Sequence, residues 1–207
     1  MISVVVITRN SASTIQHCLE SIYKQSLVPA EVIVVDGKSE DDTLNKLGPF
    51  PIKLAIQTGT GIAQARNQAI GLASKEWIGF LDSDDTWDPN KLEIQWKALQ
   101  KQPELEAIGC YLEKWEKKER IASSIQPAFT PGAFIFHRSC FEKYGLFDTR
   151  WTYASDHAWF LAARRQGLKF NLCKEVLLHK HLHENNLSLN QKAYRLEVFE
   201  LLKHWSE

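Results

Sequence analysis

The chain opens on a β-branched apolar run, "SVVVIT" (3–8), that reads as a buried strand of a parallel sheet. Ile15, Leu19, Ile22 and Tyr23 then recur at helical spacing, with Ser11 and Ser13 ahead of them as candidate caps. "EVIVVD" (31–36) is a second buried strand, closed by the polar turn "GKSEDD", and "IKLAIQT" (52–58) is a third. "GIAQARNQAIGLAS" (61–74) is a helix of small residues able to pack closely, and "WIGFLD" (77–82) is the fourth strand. Asp88 and Pro89 mark a further helix start, with proline at the first helical position and Leu92, Trp96 and Leu99 on one apolar face. The order β-α-β-β-α-β-α predicts an α/β fold with a mostly parallel central sheet and functional loops at the C-terminal ends of its strands. Thr8, Asp36 and Asp82 each stand at such an end.

The second half is less regular. "EAIGCYLEKW" (106–115) reads as a strand, and "PGAFIFHRSCFEKYG" (131–145) as a strand leading to a short helix. "SDHAWFLAARRQG" (155–167) reads as a helix with Ser155 or Asp156 at its N-terminus, Trp159, Ala162 and Ala163 on one face and Gly167 at the C-cap. "KEVLLHKHLH" (174–183) is strand-like, and 189–205 form a final helix with Tyr194, Val198, Leu201, Leu202 and Trp205 as its apolar positions. With no repeat, low-complexity tract or linker, one domain over 1–207 with a mixed-sheet C-terminal half is the economical reading.

Composition narrows the function. Lysine plus arginine equals aspartate plus glutamate, 25 each, so no basic field points to nucleic acid. An anionic ligand must then be held by local groups or by a metal. Cys18, Cys110, Cys140 and Cys173 are far apart with no C-x-x-C pair, which argues against a zinc ribbon and for buried, reduced thiols in a cytoplasmic protein. No signal peptide is read at the start, and no apolar run approaches the ~18 residues that would span a bilayer.

The strongest chemical signal is "WIGFLDSDDTW" (77–87), where Asp82, Asp84 and Asp85 follow a buried strand. Like charges this close repel unless a cation sits among them. A solvated turn is the plain alternative, but a hard cation such as Mg²⁺ or Mn²⁺ suits carboxylates that follow a strand end. "TGTGIAQA" (58–65) approximates the glycine-rich dinucleotide fingerprint. Asp84 and Asp85 fit poorly beside a metal-free pyrophosphate, which counts against a dehydrogenase.

"VVVITRN", "VIVVDGKSEDDT", "GIAQARNQAI" and "WIGFLDSDDTW" together stand in the order and spacing of family 2 glycosyltransferases of the GT-A fold. The chain resembles that family closely over its first half and more loosely to about residue 190. The resemblance implies a DxD motif in which Asp82 and Asp84 hold Mg²⁺ or Mn²⁺ against the diphosphate of a nucleotide sugar, with Ser83 and Asp85 beside them in the donor site. It places Thr8 and Asn10 against the nucleoside and Asp36 at the base and ribose, although Gly37 stands where the family usually has a second acid. Arg66 either faces the phosphates or is a helix-surface arginine. Asp156 is the implied catalytic base, with Ser155 in place of the family's glutamate and a plain N-cap as its alternative. "HKHLHENNLS" resembles the family's R-x-H segment, with His183 near the metal or diphosphate and His181 in place of the arginine. His179, His181 and His183 also alternate, so a partly exposed strand or a zinc cluster stays open for them. Trp87, Trp151 and Tyr153 are candidates for stacking on sugar, or for the core. Lys192, Arg195 and Lys203 on the final helix leave open peripheral membrane contact, packing on the domain or a homodimer.

The implied activity is inverting transfer of a sugar from a nucleoside-diphosphate donor, UDP-linked, to a hydroxyl of a saccharide or lipid-linked acceptor in cell-surface polysaccharide synthesis. Residues 1–100 would then bind the donor and 101–207 the acceptor, in the cytoplasm or at the inner membrane face. A non-catalytic nucleotide-sugar-binding module of the same fold is the competing reading. A sugar nucleotidyltransferase would need a glycine-rich first loop, where this chain has "TRNSAST".

Overall fold

A computed structural model describes residues 1–117, 119–183 and 191–204. The first half contains β1 (Ile2–Thr8), α1 (Ile15–Tyr23), β2 (Glu31–Asp36), α2 (Thr43–Leu47), β3 (Lys53–Ile56), α3 (Ile62–Leu72), β4 (Trp77–Asp82), β5 (Thr86–Trp87) and α4 (Lys91–Lys101). Then follow β6 (Ala107–Glu116), β7 (Glu119–Pro127), a 3₁₀ turn at Pro131–Ala133, β8 (Ile135–His137), α5 (Ser139–Lys143), α6 (Ser155–Arg165), β9 (Phe170–Leu182) and α7 (Gln191–His204). The expected final helix is thus seen over 191–204, while 189, 190 and Trp205 lie outside the described residues.

One sheet runs through both halves in the order β3-β2-β1-β4-β8-β6-β9-β5, with β7 on β6. β3, β2, β1 and β4 are parallel, which is the α/β half read from the sequence. β8 is antiparallel to both β4 and β6, and β9 returns parallel to β6 with two register shifts. This is the mixed-sheet half. β1 is central and buried at every position, because its two neighbours and the flanking helices leave no solvated face. Ile15, Cys18, Leu19 and Ile22 of α1 and Ala63, Ala65 and Ala69 of α3 are buried among the core residues. The alanines let α3 approach the strands closely.

The aromatics Phe80, Phe134, Phe136, Phe141, Phe147 and Trp159 pack edge-on and stacked, filling the core of the second half. Gly109 is required there, since a Cβ would stand 2.5 Å from Phe134 and from Leu172. Three of the four cysteines are buried; Cys173 is half-buried, and none is paired. Among the described residues no helix is long and apolar enough to cross a membrane.

Several local expectations are corrected. Pro89 does not open α4; the helix starts at Lys91 after Asn90, and Asp88 accepts from the Asn90 backbone in the turn before it. Ser11 supports α1 through its carbonyl, which accepts the N–H groups of Thr14 and Ile15, and not through its hydroxyl. Ala154 holds the N-cap position of α6, so Asp156 is no N-cap.

Candidate active site

The parallel strands β1, β2, β3 and β4 deliver their C-terminal ends to one edge of the sheet, where a cleft of about 710 Å³ opens. Its wall is built from the loops after these strands: Thr8 to Ser11, Gly37 to Lys38, Gly59 to Gly61, and Asp82 to Asp84. Thr152, Lys180 and His183 of the second half complete the lining.

The first two loops are laced together by side chains. Asn10 Oδ1 accepts the Glu40 N–H at 2.8 Å, and Ser39 Oγ accepts the Asn10 N–H at 2.8 Å. Thr43 Oγ1 accepts the Ser11 N–H at 2.7 Å, and Asp41 accepts from Ala12 and Thr43. The Thr43 hydroxyl and these amides hold the Asp41 carboxyl below the ordinary range. Asn10 and Lys38 are held at φ of 50° and 60°, a strained backbone for non-glycine residues, and both line the cleft. Thr8 Oγ1 is buried at the cleft and has no hydrogen-bond partner among the described residues. A polar atom kept in that state costs free energy unless a ligand satisfies it.

The three crowded carboxylates each have their own partner. Asp82 Oδ1 accepts from Arg66 Nη2 at 3.0 Å. Asp84 Oδ2 lies 3.0 Å from His183 Nε2. Asp85 is buried and accepts the His181 N–H at 3.0 Å, which ties the turn to β9. Burial pushes the Asp85 carboxyl well up, Lys180 opposes that, and Asp84 and Asp82 add to it. The ammonium of Lys180 is itself held above its ordinary value, since Asp85, Asp82, Asp84 and Asp156 outweigh its burial. The cation that the crowding calls for is thus in part the protein's own: Arg66 and Lys180 supply counter-charge.

Arg66 joins the two halves of the site. It is 1% exposed on α3, so the helix-surface reading is set aside. Its Nη1 donates to Asp156 Oδ1 while Nη2 holds Asp82, linking residues 90 apart in sequence. Burial opposes its charge, but Asp156 and Asp82 outweigh that and raise its pKa. The Asp156 carboxyl is raised, because burial exceeds the opposing pull of Arg66 and Asp82 adds repulsion. Among the described residues no group donates to Asp156 Oδ2, and the side chain stays 20% exposed. That leaves one oxygen free to take a proton.

Of the sequence candidates, Thr8, Asn10, Asp82, Ser83, Asp84 and His183 line the cleft, whereas Asp36, Arg66, Asp85 and Asp156 do not. Asp36 is fully buried and uses its carboxylate on the Ser39 N–H and hydroxyl at 2.9 and 2.6 Å, so it shapes the second loop. Ser83 Oγ lies 2.8 Å from Ser11 Oγ. Trp87 is a core residue: its Nε1 donates to the Gly132 carbonyl, and Lys91 Nζ sits 4.3 Å from its ring. His179 stacks on Trp115, His181 reaches Thr86 Oγ1 with its ring and Asp85 with its backbone N–H, and the His183 ring meets Asp84 of the acidic turn. Lys180 and Ser39 were missed by sequence reasoning. The lysine was masked by its histidine neighbours, while D-x-x-S at 36–39 is a turn signature that was there to be used. Asp82, Asp84 and His183 offer two carboxylates and an imidazole, a donor set suited to Mn²⁺ or Mg²⁺. Among the described residues no three His, Cys, Asp or Glu side chains form a preassembled metal cluster.

The family model "Glycosyl transferase family 2" matches residues 3–170. The chain belongs to glycosyl transferase family 2. Within this family, the Escherichia coli UDP-Glc:alpha-D-GlcNAc-diphosphoundecaprenol beta-1,3-glucosyltransferase WfgD is 39% identical over 99 residues, 46% of this chain and 39% of that protein. An uncharacterized glycosyltransferase of Rickettsia typhi, RT0329, is 27% identical across 100% of this chain and 70% of its own length. The chain spans well under half the length of WfgD. The crystal structure of S. aureus TarS 1-349 in complex with UDP-GlcNAc superposes with a TM-score of 0.75 at 20% identity, over 91% of this chain and 60% of that one. The sheet order and the cleft at the strand ends are thus those of a family 2 glycosyltransferase of the GT-A fold.

Proposed function

We propose that this family 2 chain is a metal-dependent, inverting glycosyltransferase that uses a UDP-sugar and delivers the sugar to a hydroxyl of a saccharide or lipid-linked acceptor. The observation that carries the reading is the Asp82–Arg66–Asp156 link, which brings the acidic turn and a carboxylate with a free oxygen into one site. The UDP donor named for WfgD and the UDP-GlcNAc seen with TarS support a UDP-sugar, and the diphosphoundecaprenol in WfgD's name supports a lipid-linked acceptor. Chondroitin synthase of Pasteurella multocida and a succinoglycan biosynthesis protein among the relatives support a place in polysaccharide synthesis.

In this reading residues 1–100 hold the donor and 101–207 supply the acceptor side. The nucleoside lies along Thr8, Asn10 and the strained turn at Lys38, with the Thr8 hydroxyl gaining the partner it lacks. Asp82, Asp84 and His183 would hold Mn²⁺ or Mg²⁺, which when bound would supply charge to offset that on the diphosphate. Lys180 supplies a further positive charge to the same leaving group. Asp156 Oδ2 takes the proton of the acceptor hydroxyl as its oxygen bonds to the anomeric carbon and the bond to the diphosphate breaks. A base whose pKa is raised by burial is better matched to that step than an ordinary aspartate. A single attack from the face opposite the leaving group inverts the anomeric centre.

The test is Asp156→Asn. UDP release from UDP-glucose or UDP-GlcNAc with Mn²⁺ should fall by about 10²–10⁴, while the donor still raises the melting temperature. Full UDP release in this variant overturns the assignment. Ser155, where the resemblance calls for glutamate, motivates the second reading of a non-catalytic donor-binding module; donor binding without any UDP release in the wild type would establish it.

A further inference from the structure

The segment that carries Asp156 is held from a distance. α6 begins at Ser155, and no side chain near its N-cap residue Ala154 bonds its exposed backbone donors. Glu197 of α7 instead holds the three N–H groups that lead into the helix. Its Oε1 accepts the Thr152 N–H at 3.0 Å, and its Oε2 accepts those of Tyr153 and Ala154 at 2.7 and 2.8 Å. A carboxylate here gains three charge-assisted hydrogen bonds and faces the positive end of the α6 dipole. On the other side of Asp156, Tyr194 Oη lies 3.3 Å from the His157 ring. α7 is seated for this by the buried Leu201 and the half-buried Tyr194 and Val198, while Leu196, Phe199 and Leu202 face outward. Thr152 at the front of the gripped segment lines the donor cleft, and Asp156 follows Ala154 by two residues.

We infer that Glu197 is a positioning residue for the catalytic base, with α7 setting where Asp156 stands relative to Arg66 and the cleft. This rests on the function proposed above. Among the described residues the hydrogen bonds of Glu197 go to 152–154 and to none of the loops after β1, β2 or β4, and of residues 152–156 Thr152 alone lines the cleft, so removing Glu197 acts chiefly on the chemical step. A purely structural role would instead lower turnover and donor binding together, by reducing the folded fraction.

The experiment compares wild type, Glu197→Ala and Glu197→Gln in the full chain. Amide hydrogen exchange over 152–156 is read alongside kcat and KM for UDP release from UDP-glucose and UDP-GlcNAc with Mn²⁺, and Kd for UDP. In Glu197→Ala the exchange of 152–156 should rise about tenfold or more through local opening, with the central strands unchanged. The kcat should fall about tenfold, with KM and the UDP Kd within about twofold of wild type. Glu197→Gln should fall between, since one carbonyl oxygen still reaches the segment, and it serves as the test if the alanine variant does not fold. Unchanged exchange at 152–156, or kcat and UDP binding falling in parallel, overturns the inference. A wild type without UDP release would defeat the functional reading instead, and the exchange contrast would still decide whether Glu197 holds the segment.

Discussion

Replacing Arg66 with methionine removes the group that bonds both Asp82 and Asp156, at nearly constant volume. The guanidinium is 1% exposed, and the two carboxylates are 23% and 20% exposed, so water screens the three charges poorly. Breaking a buried pair by deleting one partner costs about 3–5 kcal/mol, a large share of a net stability of about 5–15 kcal/mol. Asp156, already raised by burial and by Asp82, then loses the opposing pull of Arg66 and is raised further in the folded state. The folded state holds more protons than the unfolded chain once the pH exceeds about 4, so its stability falls as pH rises through the carboxylate range. The Arg66→Met penalty, read from urea unfolding, should therefore be largest near pH 8 and shrink toward about pH 4. Arg66→Lys restores the charge but not the fork. It should lose one charged hydrogen bond, about 1.5–3 kcal/mol. An Arg66→Met protein within about 0.5 kcal/mol of wild type at pH 8, or a penalty that does not change with pH, would refute this reasoning.

Thr8→Val removes a buried hydroxyl that has no partner; the ligand-free protein should be as stable or more stable by thermal melting, while affinity for UDP drops about fivefold. Lys180→Met should weaken UDP binding about tenfold by calorimetry, with a shallower salt dependence, because one cation is lost from the cleft. Lys91 is fully buried against Gln95 and Trp87, and burial lowers its pKa to about 8. The unfolded chain then binds more protons above that value, so Lys91 contributes stability that is present above the unfolded pKa of about 10.4 and lost as pH falls through about 8. Lys91→Met should abolish that rise in urea midpoint between pH 8 and 10.

The parallel half was legible because β1, β2 and β4 are continuous apolar runs that match a sheet buried on both faces. β7 was not, since "ERIASSIQP" is exposed at most positions and carries no buried alternation to betray it. α2 is five residues of mixed polarity and β5 only two, too short for any periodic signal. In the site, the acidic turn stood out by charge density alone. Arg66 did not, because an arginine among alanines looks like a solvated helix face, and only the fold brings Asp156 to it. Asp36 was placed at the ligand because it ends a strand; its carboxylate is spent on two hydrogen bonds from Ser39, three residues on. Strand-end position points to the cleft, but side-chain direction decides whether an acid meets the ligand or its own loop.

The most direct test of a metal-assisted donor site is the melting temperature of the wild type with UDP-sugars, in Mn²⁺ and again in EDTA. At a hundredfold excess over Kd a bound donor adds about 2.7 kcal/mol, which for a chain of this size raises Tm by about 5–10 °C. The account predicts that shift with Mn²⁺ and its loss in EDTA. No shift with any UDP-sugar, or an undiminished shift in EDTA, contradicts it.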